Sequence, residues 1–220
     1  MLGELIVFEG LDGSGKETQA NCLAQSLEQD GKSVMKISFP VYDSPSSSLV
    51  KMYLFGKFGT DPCAVNAYAA SSFFAVDRYA SYRTNWGPFY QGGGTVIADR
   101  YTTSNAIHQC SKLPEEQWEG YLDWLFTYEY KYLEIPAPDR IIYLQTDVDV
   151  CEKLILSRYD GHEDQRDIHE GNLEYLRRSK KAAEFCAERL GWTTVRCTSG
   201  GKMRSVGDIQ HEVRKLLSAF

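Results

Sequence analysis

Apolar residues along the chain fall into two alternating patterns. Short unbroken runs at 5–8, 95–98 and 140–144 have the length of buried strands. So do 33–39, closed by Pro40, and 193–196. Between these runs the apolar positions recur at three and four residues, the spacing of one helix face. In 16–29 that face is Ala20, Leu23, Ala24 and Leu27, and Asp30-Gly31-Lys32 stops it. A turn at 43–46 leads into Leu49, Val50, Tyr53 and Leu54. Further helices are predicted over 64–84, 104–110, 115–133, 148–157, 170–190 and 205–219. Strands alternating with helices predict an α/β layered fold with a mostly parallel sheet.

The chain of 220 residues has 43% hydrophobic and 25% charged positions, which fits one domain over 1–220 and excludes disorder as its main state. Lysine and arginine number 24 against 30 aspartates and glutamates, a net charge of −6. A general basic surface for nucleic acid is therefore excluded, while a local basic pocket for a small anion is not. The six cysteines include no C-x-x-C pair, which points to reduced thiols and a cytoplasmic setting. Nothing resembles a signal peptide, and no run approaches the ~18 apolar residues of a membrane span. One stretch, 158–169, is almost wholly polar and is the candidate for a lid.

The chemistry concentrates after the first strand. Gly10-Leu11-Asp12-Gly13-Ser14-Gly15-Lys16 has the pattern G-x-x-x-x-G-K between a strand and a helix. Such a loop turns backbone N–H groups inward onto phosphate oxygens, and the lysine reaches the transferred phosphate. The next residue would ordinarily be a serine or threonine ligating magnesium. Here it is Glu17, followed by Thr18, so either the metal is held differently or the loop is inactive. Asp99 and Arg100 end the third strand, where an α/β sheet lines its ligand crevice. There Asp99 could position metal-bound water and Arg100 could clamp a second phosphate; a strand-capping ion pair is the alternative. Phe74 and Arg78 stand one helical turn apart, suited to stacking on a flat base and donating to its carbonyl. A core phenylalanine beside a surface arginine is the plainer reading.

In order, Phe8 to Lys16, Phe39-Pro40 with Tyr42, Phe74 to Arg78, Asp99-Arg100-Tyr101 with Ser104, Asn105 and Gln109, and the arginine-containing polar stretch resemble the thymidylate kinases. The resemblance runs nearly end to end. It implies a three-layer P-loop NTPase fold with a five-stranded parallel sheet and a short lid, transfer of the ATP γ-phosphoryl to dTMP, magnesium, and a homodimer. It implies that Gly10 to Thr18 hold ATP. Asp12 then faces the deoxyribose 3′-hydroxyl, Phe74 stacks on thymine and Arg78 donates to its carbonyl. Arg100 holds the acceptor phosphate. Phe39, Pro40, Tyr42, Ser104 and Asn105 line the acceptor site, and His108 stands where the family usually has tyrosine or phenylalanine against the sugar. Gly13 replaces the basic loop residue of some members, so Arg158 or Arg166 in the lid would supply that charge. Asp99 and Glu17 would meet magnesium through water.

Overall fold

The computed structural model describes residues 2–159 and 167–218. Its centre is a five-stranded sheet in the order β2-β3-β1-β4-β5, every neighbouring pair parallel. The strands are β1 (Glu4–Glu9), β2 (Val34–Ser38), β3 (Thr95–Asp99), β4 (Arg140–Gln145) and β5 (Thr193–Arg196). Each coincides with a predicted strand to within two residues at most ends; the central strands β1 and β3 are buried and read as apolar runs, while the edge strands β2 and β5 are half exposed and mixed in composition.

Alternation along the strands builds two cores. Ile6, Phe8 and Ile97 face Ala20 and Leu23 of α1 (Lys16–Gln29) and Ile209 and Val213 of α9 (Val206–Ser218). Leu5, Val7, Val96 and Ala98 point the other way, onto Trp86, Tyr90 and Tyr101. The sheet therefore has helices on both faces. A third core joins α5 (Thr102–Cys110), α6 (Trp118–Phe126) and α8 (Leu173–Arg189) through Ile107, Tyr121, Leu125 and Ala183.

Several helices depart from the sequence pattern. The predicted 64–84 helix is α3 (Ala67–Ser81), started by Asn66, whose side chain accepts from Ala69 N at 2.9 Å. A π turn, Tyr82–Trp86, follows it. The predicted 115–133 helix is a 3-10 turn, then α6, then a second π turn over Thr127–Tyr132. α8 begins at Leu173 rather than Glu170, because the Asn172 side chain accepts from Tyr175 N at 2.9 Å and fixes the start there. Besides α2 (Ser48–Leu54) and α7 (Val148–Tyr159), the short helix α4 (Gly87–Gln91) also forms. A small antiparallel hairpin, β6 (Thr198–Ser199) with β7 (Lys202–Met203), was not predicted, since two-residue strands carry no period.

Candidate active site

The strand ends converge. Phe8 pairs with Asp99 in register, Arg100 N donates to Phe8 O at 3.1 Å, and Phe39 N donates to Asp99 O at 3.1 Å. The loop after β1, the turn after β2 and the turn after β3 thus open onto one crevice, as strand carboxyl ends do in this fold class.

The loop requires glycine at two places. Gly10 and Gly13 have φ of 152° and 76°. A Cβ at Gly10 would stand 2.6 Å from Ser14 Oγ, and one at Gly13 would stand 2.6 Å from Cys151 O. Lys16 Nζ, buried, donates to Gly10 O at 3.0 Å and Leu11 O at 2.7 Å, which leaves one of its three donors for a ligand. Burial, with Arg100 nearby, lowers the Lys16 pKa. Ser14 Oγ is buried with no hydrogen-bond partner among the described residues. Glu17 and Thr18 are exposed on the first turn of α1.

Arg100 lies across the crevice with a left-handed φ of 70°. Its Nη2 donates to Asp12 Oδ1, and its Nη1 lies 3.4 Å from Ser104 Oγ and 3.3 Å from His108 Nε2. Burial works against charge in both partners. For Arg100 it is outweighed by Asp12, Glu9 and Asp99, which hold the guanidinium above its ordinary pKa. For Asp12 it is outweighed by Arg100 and Lys16, which hold the carboxyl below its ordinary range. Asp99 Oδ1 is buried and unpartnered among the described residues.

Beyond Arg100 lies a pocket of about 520 Å³, counting its open mouth, lined by Asp12, Phe39, Pro40, Tyr42, Phe74, Arg78, Ser104, Asn105, His108 and His169, among others. The Phe39–Pro40 peptide is cis. Asp77, buried, holds this wall to α3: Val41 N donates to its Oδ2 at 2.8 Å and Ser46 Oγ to its Oδ1 at 2.5 Å. Phe74 packs edge-on to Tyr53 at the pocket, with ring centroids 6.3 Å apart. Burial, reinforced by Arg100, pushes the His108 pKa down to about 3. On the far side of the loop a second pocket of about 730 Å³, again including its mouth, is lined by Gly13, Gly15, Thr18, Leu154, Arg158, Met203 and Arg204. Arg158 lines both this pocket and the crevice over Arg100. It pairs with Glu170 at 3.1 Å.

The family model for thymidylate kinase matches residues 8–203, most of the chain. The chain belongs to the thymidylate kinase family. A thymidylate kinase of Mycobacterium tuberculosis (strain H37Rv) is 30% identical over 196 residues, covering 87% of this chain and 90% of that protein. A probable thymidylate kinase of Saccharolobus solfataricus is 30% identical over 181 residues, covering 81% and 84%. The solved thymidylate kinase of Candida albicans has a TM-score of 0.71 at 20% identity, over 99% of this chain and 92% of that one, and shares the fold.

Asp12, Phe39, Pro40, Tyr42, Phe74, Arg78, Arg100, Ser104, Asn105 and His108 come together around one pocket. Arg166 and most of the predicted lid, 160–166, lie outside the described residues. The end of the polar stretch is not a solvated loop: His169 is 5% exposed, within 2.8 Å of Tyr53 Oη, and stacks on His108. Arg78 is not a surface arginine either. It is 1% exposed, and Glu129 takes its Nε at 2.7 Å and Nη2 at 2.6 Å. Sequence reasoning missed Glu129, and likewise Glu9, whose buried carboxylate accepts from Tyr101 N, Thr103 Oγ1 and Ser104 Oγ. Burial raises the Glu9 pKa against the opposing pull of Arg100.

Proposed function

We propose that this protein transfers the γ-phosphoryl of ATP to dTMP, giving dTDP and ADP, across the phosphate loop. One observation carries the reading: the loop stands between two pockets, and Arg158 borders both the outer one and the crevice over Arg100. Hydrolysis needs one nucleotide site; transfer between nucleotides needs two that meet at a basic centre.

The outer pocket and the loop from Gly10 to Thr18 take ATP, with backbone N–H groups, Ser14 Oγ and Lys16 directed to its phosphates. The inner pocket takes dTMP. Phe74 stacks on the base, Arg78 donates to a base carbonyl, and Asn105, Ser104 and His108 border base and sugar. Phe39, Pro40 and Tyr42 form the wall behind them. Arg100 takes the acceptor phosphate, and Asp12, already paired with it, keeps the guanidinium between the two nucleotides and lies near the sugar hydroxyl. The acceptor phosphate oxygen is ionised near neutral pH and needs no base, so the protein's work is alignment and charge neutralisation. Lys16 and Arg158 neutralise the phosphoryl in flight; Arg166 is the other candidate for that charge.

Magnesium binds oxygen and keeps much of its water shell. A buried carboxylate oxygen with no partner among the described residues, Asp99 Oδ1, fits a water-mediated contact of that kind, and Glu17 is exposed on the first turn of α1. Asp99 and Glu17 would hold the ion through its waters, and it would supply charge neutralisation at the phosphates.

The protein works as a homodimer in the cytoplasm. Val76 and Tyr79, 41% and 40% exposed on one face of α3, support a covered face there. Free cysteines support a reducing compartment. No helix among the described residues is long and apolar enough to cross a membrane. An ADP-release assay run with ATP and each nucleoside monophosphate in turn tests the activity: release with dTMP supports it, and release independent of any acceptor contradicts it.

A further inference from the structure

Four hydrogen-bond donors converge on Glu129, a carboxylate with no exposed surface. Its Oε2 accepts from Arg78 Nε at 2.7 Å and Thr102 Oγ1 at 2.8 Å. Its Oε1 accepts from Arg78 Nη2 at 2.6 Å and Asn105 Nδ2 at 3.1 Å. Glu129 does not line the pocket, but Arg78 and Asn105 do. The π turn Thr127–Tyr132 carries it inward from behind them.

The bidentate fork fixes the plane of the Arg78 guanidinium. The remaining edge, Nη1, has one protein acceptor among the described residues, Tyr101 O at 3.4 Å. Nη1 carries two N–H groups, so a donor remains for the pocket. Asn105 is fixed in the opposite sense. Its Nδ2 hydrogens go to Glu129 and to Ser71 O at 3.2 Å. That assigns the amide flip. Oδ1 accepts no hydrogen bond from any described residue.

We infer that Glu129 is a positioning residue that sets the base selectivity of the acceptor pocket, holding Arg78 as a donor and Asn105 as an acceptor. This rests on the reading of that pocket as a pyrimidine monophosphate site. A 4-oxo pyrimidine presents a carbonyl beside an N3–H, which matches a donor beside an acceptor. A 4-amino pyrimidine presents an amino group beside a bare N3 and mismatches both. A site built from fixed buried partners rejects such an analogue strongly, because the partners are left unpaired.

Glu129→Gln replaces one of the four-donor acceptor's oxygens with an NH₂. The NH₂ meets an Arg78 N–H whichever way the amide sits, so the fork opens and Arg78 is no longer held as a donor toward the base. The experiment measures kcat/KM for dTMP and dCMP, with ATP, in the wild type, Glu129→Gln and Glu129→Asp. The wild type prefers dTMP. In Glu129→Gln that preference falls by at least about 30-fold while the KM for ATP stays put. Glu129→Asp keeps the charge opposite Arg78, and with it the fold, but is too short to hold both partners; its preference falls at least about fivefold. Should the glutamine variant not fold, the aspartate variant carries the test. An unchanged preference in a folded variant that has merely lost stability overturns the inference and leaves the pocket's reading intact. A wild type indifferent to the two bases overturns both.

Discussion

Replacing His108 with phenylalanine removes a titration without removing a ring. The imidazole is 6% exposed and clusters with His169 and Tyr175, whose ring centroids lie 5.5 and 6.0 Å from its own and 4.6 Å from each other, and it faces Arg100, Asp12, Lys16 and Lys112. Burial, then Arg100, holds its pKa at about 3 in the fold, against about 6.5 in the unfolded chain. Between those values the unfolded chain binds more protons, so stability rises with pH across the window and is lost as pH falls. The protonation ratio gives a loss from pH 7 to pH 5 of about 2 kcal/mol from this one group, roughly thirtyfold in the folded-to-unfolded ratio. Asp167, pushed up to about 7 by burial and Asp12, acts in the opposite sense from about pH 4 to 7. His169, held low by burial and His108, acts in the same sense as His108. Both remain in the variant, so the difference between the two proteins reports His108 together with the share of the His169 shift that His108 causes, which has the same sign. Urea unfolding followed by tryptophan fluorescence at pH 7 and pH 5 is the assay. His108→Phe should lose less stability on acidification than the wild type by about 2 kcal/mol, whatever its standing at pH 7. Parallel losses in the two proteins would refute a neutral buried histidine at this position.

Three further outcomes follow from the site. Lys16→Ala should fold normally and lose turnover by at least about 10³, read by ADP release under saturating substrates. Phe74→Ala should weaken dTMP binding by about 1–3 kcal/mol in calorimetry, with ATP affinity unchanged; equal losses would make Phe74 a packing residue. Arg158→Ala should lower kcat more than it raises either KM, because its charge is wanted in the transition state; an unchanged kcat would move that role elsewhere.

The centre of the sheet was legible because buried parallel strands such as β1 and β3 print themselves as apolar runs, and the loop because glycine at Gly10 and Gly13 is required sterically. The helix ends were less so. Asn66 and Asn172 start α3 and α8 through side-chain caps, and an asparagine is as common in loops as at caps. The rear of the pocket was not legible at all. Glu129 is a lone acid in the aromatic run Tyr128-Glu129-Tyr130, and its partner Arg78 is distant in sequence. A helical period places it by turns of 3.6 residues, whereas a π turn shifts the register and carries it inward. His169 was hidden for a related reason: a polar composition at 158–169 reads as solvated, yet Tyr53 and His108 enclose the imidazole. The same holds for Asp77, whose burial depends on the turn after β2 folding back over α3.

The central claim is that one loop brings two nucleotides together and passes a phosphoryl group between them. ATP labelled in its γ-phosphoryl, incubated with this protein, magnesium and dTMP, tests it directly. The label should appear in dTDP, one for each ADP formed, and free phosphate should stay at background. Label released as inorganic phosphate, with dTMP recovered unchanged, would contradict the account.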